Sequence, residues 1–452
     1  MKRSALLPLV ALLVAASPAM AQTPDIKVTY GDSTITVYGV LDGGVASVDH
    51  TLGFDPWHSL GVNPSATSKA DKSAIGGFTG GISPSRLGIK GSTKINDDLS
   101  GVFGLETGFN LQSGNLTNAG EGVAQNTGAG GVNSDSSAVS GQLFGRGAWV
   151  GLSSKTWGQV TFGRHTSWML DIIGNYDALQ GAQMFTPIGY SGSYGGGGRT
   201  EDSRVDSSIK YSLKFDNGIN LGLLHSFGGV AGASGSRSAD QLVAGYEKGA
   251  FGFQVAYEKY NDAFKAGNPD GTAAHPLGTL TVTALDTKAY MATVRYRIGD
   301  LFLSAGYERE QFTNPSNPVE DATLTSLYGQ VVNSVNVTPF TIKDAAGNVI
   351  GEAEQTWNVY WIGANYNVTK EFNIAVGYYQ VSQNDWSLGT TPAGSAKSSG
   401  KSKYMSALLD YRFSPRFDMY LGYMGNNVDG GMGFGYMHDS NAVTGLGFRY
   451  KF

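Results

Sequence analysis

Apolar and polar side chains alternate in short runs through most of the chain. In Leu99 to Gln112, Leu99, Phe103, Leu105, Phe109 and Leu111 fall on one side, with Ser100, Glu106, Asn110 and Gln112 on the other. A period of two puts neighbouring residues on opposite faces of a strand, so each run predicts β-structure with one apolar and one polar face. The first run, Thr34 to Val45, sets Ile35, Val37, Leu41 and Val45 against Tyr38 and Asp42. The last, Ala442 to Phe452, sets Leu446, Phe448, Tyr450 and Phe452 against Arg449 and Lys451. Sixteen runs can be counted, and a hairpin within 324–337 would raise the number to eighteen.

The connections alternate as well. Turns of a few residues, such as Asn217-Gly218, Gly299-Asp300 and Ser414-Pro415, interleave with long polar stretches near 47–84, 113–142, 165–203, 260–286, 312–355, 382–402 and 426–441. Short turns at one rim and long loops at the other indicate the all-β class, as a transmembrane antiparallel up-and-down β-barrel. Backbone groups in hydrocarbon must be paired within the protein, so a strand-built span closes, first strand on last.

A barrel of sixteen to eighteen strands leaves a water channel. The polar faces agree with a wet lumen, because Asp42, Arg86, Lys90, Glu106, Arg204, Asp206, Lys210, Arg295, Asp410 and Arg449 would be costly in a dry interior. Tyr211, Tyr257, Tyr366, Tyr423 and Tyr450 near run ends suit either an interfacial girdle or plain lipid-facing packing. Arg146 shares a face with Val150 and Leu152, and Arg164 with Val160 and Phe162, so a bulge or strand end has to turn each inward. Trp357 to Tyr366 carries aromatics on both faces and has no unique register.

Composition narrows the partners. Of 452 residues, 15% are charged, 65 are Gly and none is Cys. A formal net charge of −5 argues against nucleic acid. Without Cys there is neither a disulfide scaffold nor a thiolate metal site, and six scattered His show no ligand spacing, so no metal or cofactor is expected. Residues 1–21 read as a secretory signal peptide: Lys2 and Arg3, then apolar Leu6 to Ala16, then Ala19-Met-Ala21 with cleavage near Ala21/Gln22. An N-terminal membrane anchor is the other reading, but the apolar run is short for a span. Residues 22–452 are then one exported barrel domain.

Six elements together carry a family resemblance: Val37-Tyr-Gly-Val-Leu-Asp42, Ser85-Arg-Leu-Gly-Ile-Lys-Gly-Ser92, Phe144-Gly-Arg-Gly-Ala-Trp-Val-Gly-Leu152, Val160-Thr-Phe-Gly-Arg164, Arg204-Val-Asp-Ser-Ser-Ile-Lys-Tyr211 and Gly447-Phe-Arg-Tyr-Lys-Phe452. In that order they resemble the general diffusion porins of Gram-negative bacteria, particularly those of proteobacteria outside the enteric group. The resemblance spans the mature chain but not its loops. It implies a sixteen-stranded barrel in the cell outer membrane, among outer-membrane lipid and lipopolysaccharide, that passes ions and small hydrophilic solutes by passive diffusion. It further implies a homotrimer, a third long loop (165–203) folded inward as a constriction, and a final Phe452 acting as a signal to the barrel-assembly machinery.

Arg86, Arg146 and Arg164 match the basic cluster such porins place at the constriction wall, with Lys90 beside them. The opposing acids would come from the loop, where Asp171, Asp177, Glu201 and Asp202 are candidates. Asp42, Glu106, Arg204 and Lys210 are further lumen-facing charges. Wall salt bridging is the alternative role for the arginines, and ordinary solvation for Asp171 and Asp177. The Pro-Glu-Phe motif of many enteric porin loops is absent; here the region reads Phe185-Thr-Pro-Ile-Gly and then Gly195-Gly-Gly-Gly198.

Three other functions compete, of which an adhesin or a purely structural barrel would need loops specialised for contact. A barrel enzyme needs a nucleophile beside a base, and His165, His225, His275 and His438 have no such context. A sugar- or oligosaccharide-specific channel needs an aromatic ladder, which Trp168, Tyr176 and Tyr190 could begin.

Overall fold

A computed structural model of the chain describes residues 26–50, 71–114, 116, 143–188, 204–267, 280–317, 326–327, 330–344, 346–386, 398–433 and 437–452. The expected signal peptide (1–21), Tyr190, Glu201 and Asp202 lie outside the described residues.

Sixteen strands form the wall: β1 (Ser33–Val48), β2 (Arg86–Lys94), β3 (Leu99–Gly108), β4 (Gly147–Ser154), β5 (Gly158–Thr166), β6 (Arg204–Lys214), β7 (Ile219–Ser226) and β8 (Ala239–Lys248). The second half is β9 (Phe251–Gly267), β10 (Leu280–Ile298), β11 (Leu301–Thr313), β12 (Gln355–Asn367), β13 (Phe372–Gln383), β14 (Gly400–Ser414), β15 (Phe417–Gly430) and β16 (Ser440–Lys451). Each pairs antiparallel with its sequence neighbours, and β16 pairs antiparallel with β1 from Val40↔Lys451 to Val48↔Val443, closing the cylinder. The backbone of Phe452 continues this seam, exchanging hydrogen bonds with Gly39 at 2.8 and 3.1 Å.

Alternation sets the two faces. In β15, Leu421 and Tyr423 point out and are exposed, while Tyr420 and Met424 are buried inside. The ambiguous run in β12 takes the register that puts Tyr360, Ile362 and Tyr366 outside and Trp357, Val359 and Trp361 inside. Gly306 on the adjacent strand makes room for Trp361, since a Cβ there would lie 2.0 Å from the indole.

The count of eighteen does not hold. Ser326–Leu327 pairs with Gln330–Asn336, which runs parallel to the upper end of β10, while β11 pairs directly with β12. The hairpin therefore decorates the long loop between β11 and β12 rather than entering the wall. The stretch 47–84, expected as loop, contains a strand, Ala74–Thr79, paired with Gly43–Val48 above β2. Residues 80–85 interrupt the run between that strand and β2.

One hydrophobic core joins the wall to the segment after β5. Met169, Ile172, Ile173, Leu179, Met184 and Phe185, from the segment after β5, are buried with Met291, Phe312, Trp361, Tyr379, Tyr404 and Tyr420 of the wall.

Candidate functional site at the inner wall

A bulge in β6 lies beside the first arginine. Pairing of β5 with β6 shifts register between Gly163 and His165, where Gly163 has φ 138° and the facing Ser207 φ 47°. Phe162 is 52% exposed, while Arg164 is buried to 7% beside that bulge. Its guanidinium meets Asp206 at 2.5 Å and donates to the Gly145 carbonyl at 2.7 Å. Arg146 sits one residue ahead of β4, where no strand geometry binds its side chain to the outer face.

Glu106 of β3 gathers the neighbours. Arg146 Nε lies 2.6 Å from its Oε1, Arg86 Nε 3.6 Å from its Oε2, and the Tyr38 hydroxyl donates to Oε2 at 3.0 Å. Arg204 donates to the Arg146 carbonyl at 2.9 Å, and the Lys90 ammonium stands 5.3 Å from the Tyr38 ring. The side chains of Arg86, Glu106 and Arg146 keep 26%, 20% and 19% exposure. Arg86, Arg146 and Arg204 thus gather around Glu106, where removing the carboxylate leaves like charges facing each other, while Arg164 pairs with Asp206.

The segment after β5 makes contacts with residues of β8, β10, β12, β13 and β15. Helix α1 (Trp168–Tyr176) starts at Ser167, whose hydroxyl accepts the Leu170 N–H. The free Trp168 N–H at this end donates to Gln241 of β8 at 2.8 Å. Met169, Ile172, Ile173 and Tyr176 recur at helical spacing and form its buried stripe. Asp171, on another face, meets Lys210 of β6 at 2.5 Å, and the same ammonium lies 4.2 Å from the Trp168 ring.

Arg295 of β10 caps the other end, donating to the Asn175 carbonyl at 3.1 Å, where the helix dipole favours a cation. Its guanidinium also stacks 4.8 Å from the Tyr176 ring. The Tyr176 hydroxyl donates to Glu247 at 2.9 Å; burial, with the carboxylate beside it, pushes this phenol up.

Beyond the helix, Asp177 is buried and accepts from the Tyr379 hydroxyl at 2.7 Å and the Gly181 N–H at 2.9 Å. Burial, only partly offset by these donors, pushes its carboxyl up to about 6. The Ala178 carbonyl accepts from Asn365 at 3.0 Å. The N–H groups of Gln183 and Met184 donate to the Ile82 and Gly81 carbonyls of the 80–85 interruption. That interruption is itself held by Asp42, which accepts the N–H groups of Gly81, Ile82 and Ser83 at 2.8–3.1 Å and the Tyr420 hydroxyl.

Interior glycines provide the seats. A Cβ at Gly222 would lie 2.6 Å from Trp168, at Gly252 2.7 Å from the Tyr176 hydroxyl, at Gly363 2.5 Å from Ala178 and at Gly422 2.5 Å from Phe185.

The expected residues therefore divide. Arg86, Arg146 and Arg204 come together with Glu106, Arg164 pairs with Asp206, and Asp171 meets Lys210. Asp177 and Asp42 are instead consumed by Tyr379 and by the 80–85 interruption, and neither meets the arginine cluster. Tyr379, Asn365, Arg295 and Gln241 were not singled out for this role. The usable signal was the run of inward-facing glycines in β7, β9, β12 and β15, which no lipid contact requires.

Comparison with known proteins places this architecture. The family model for Gram-negative porins matches residues 9–431. The chain is 29% identical over 199 residues to an outer membrane porin protein of Bordetella pertussis, covering 43% of each. It is 26% identical over 325 residues to outer membrane porin F of Escherichia coli, covering 67% of this chain and 78% of that one. The aligned part thus spans less than half of the Bordetella relative. Among solved structures, an anion-selective porin from Comamonas acidovorans superposes with TM-score 0.59 at 17% identity, covering 93% of this chain and 100% of that one. OmpT of Vibrio cholerae superposes with TM-score 0.58 at 14% identity, covering 94% and 100%; another OmpT structure, described as a trimer form, gives 0.53 at 14% identity and covers 93% and 100%. A match over nearly the whole sequence, on a closed sixteen-stranded barrel, makes this chain a member of the Gram-negative porin family.

Proposed function

We propose that the barrel is a passive outer-membrane channel for ions and small hydrophilic solutes, narrowed where segment 167–188 faces the arginine cluster of β2 to β6. One observation carries the reading. The segment packs its apolar residues on the strands opposite the cluster, while the side chains of Arg86, Glu106 and Arg146 stay 19–26% exposed. An interior filled on one side leaves a wetted, charged passage on the other.

Selectivity would follow from the charges along that passage. Arg86, Arg146, Arg164 and Lys90 form the basic wall in this reading, and Asp171 is a loop acid that pairs with Lys210 of β6. Copies of the chain assemble as homotrimers in outer-membrane lipid and lipopolysaccharide, with Phe452 read by the assembly machinery. A sugar-specific channel would need Trp168 and Tyr176 free to stack on solutes. Trp168 is covered by the Lys210 ammonium and Tyr176 is buried against Arg295, which supports general passage.

The test is planar-bilayer conductance of the purified protein. The expected current is linear in voltage and salt and insensitive to added neutral sugars. Saturation or block by a sugar would replace general with specific passage, and a silent bilayer would remove the channel assignment.

A further inference from the structure

At the loop-side ends of β9 and β10 lies a pair of carboxylates that the passage does not use. β9 bulges at Asn261 and Asp262, where the pairing with β10 jumps from Tyr260↔Thr287 to Ala263↔Leu285, leaving Asp286 opposite the bulge. Asp286 Oδ1 accepts the Asp262 N–H at 2.7 Å and the Ser316 N–H at 3.3 Å. Asp262 Oδ1 accepts the Asn317 N–H at 2.7 Å. The two side chains are thus drawn together beneath the turn that opens the long loop after β11.

Asp262 is 0% exposed and Asp286 8%. Asp262 Oδ2 is buried with no hydrogen-bond partner, and so is Asn261 Oδ1 next to it in the chain. No lysine, arginine or histidine pairs with either carboxylate among the described residues. Main-chain N–H groups take up one oxygen of each carboxylate, and Asp262 Oδ2 and Asn261 Oδ1 remain as buried oxygens without a donor, the ligand type a hard divalent ion selects.

We infer that Asp262 and Asp286 hold a Ca2+ ion that fastens the start of the β11–β12 loop to the rim. Among the described residues no three His, Cys, Asp or Glu side chains group as a metal centre. The two carboxylates are therefore completed by main-chain or amide oxygens and water, as the six- to eight-oxygen shell of Ca2+ accepts. Zn2+ would want nitrogen or sulfur ligands, and Mg2+ a tighter octahedron than a bulge supplies.

The test uses the whole purified protein in detergent, stripped with EDTA and then titrated with CaCl2, followed by calorimetry and by thermal unfolding. Wild type is expected to bind Ca2+ with sub-millimolar to millimolar affinity, about the range of extracellular Ca2+ modules, and to unfold a few degrees higher in about 10 mM CaCl2. MgCl2 should do so more weakly. Asp262→Asn, which keeps the Asn317 contact but removes the charge, should lose the Ca2+ response while matching or exceeding EDTA-treated wild type in stability. A wild type with no Ca2+ heat and no Ca2+-dependent shift would overturn the site. A response retained in both Asp262→Asn and Asp286→Asn would also overturn it.

Discussion

The Tyr379 hydroxyl donates to Asp177 Oδ1 at 2.7 Å across 202 residues of chain, tying the turn after α1 to the middle of β13. Both residues are buried, so the bond is made where water cannot substitute for it. Tyr379→Phe removes the donor and leaves that oxygen desolvated, weakening docking of segment 167–188 by about 1–3 kcal/mol. Single-channel recordings of the variant should show noisier and larger currents than wild type. Unchanged traces would mean that the segment's position does not depend on this contact.

Protonation of Asp177 should modulate the same docking. Its carboxyl is pushed up to about 6 from an ordinary 3.8, chiefly by burial. The docked state therefore holds a proton more tightly than the undocked one. This contribution is full below pH 4 and is lost as pH rises through about 6. Limited proteolysis of the segment should be slower at pH 5 than at pH 8 in wild type, and the difference should shrink in Asp177→Asn. A pH profile of equal steepness in the variant would assign it to other groups.

The glycine seats make a steric prediction. A Cβ at Gly422 would fall 2.5 Å from the Phe185 ring, and one at Gly445 3.2 Å from it. Gly422→Val should push Phe185 off β15 and widen the passage, raising conductance while the barrel still folds. Phe185→Ala should release the segment without crowding the wall, at about 3–5 kcal/mol of lost docking. If both variants conduct as wild type does, the segment does not limit the current.

Glu106 should set ion preference. Arg146 and Arg86 share its carboxylate at 2.6 and 3.6 Å. Glu106→Gln leaves their charge uncompensated, and Arg86→Gln does the reverse. Removing one unit charge about 7 Å from a passing ion in water changes its energy by roughly 0.6 kcal/mol, about threefold in permeability. Reversal potentials should move toward anion preference in the first variant and toward cation preference in the second. Movement in the same direction would exclude a role for this patch in selectivity.

The wall was legible because lipid outside and water inside impose a period of two on every strand. Leu421 and Tyr423 against Tyr420, or Leu446 and Phe448 against Arg449, declare their faces without help from the rest of the chain. The break in that pattern at Arg164 was legible too, and a bulge in the facing strand β6 lies beside it. The path of the segment after β5 was not. Asp177 looks in sequence like any loop carboxylate, and its partner lies 202 residues away on a strand that reads as ordinary wall. The two-sided aromatics of β12 were ambiguous for the same reason: Trp361 is turned inward by the space above Gly306, which no pattern within β12 encodes.

In the proposed channel the arginine cluster faces the water path beside a docked segment. The chain contains no cysteine, so Arg86→Cys places a single thiol at the cluster of an otherwise unreactive channel. Adding a small cationic methanethiosulfonate to the open variant in a bilayer should react within the recording, lower the conductance and return the reversal potential toward that of wild type. The same reagent on Leu152→Cys, on the outer face of β4, should change neither. A thiol at position 86 that fails to react, or reacts with no change in current or selectivity, would contradict the account.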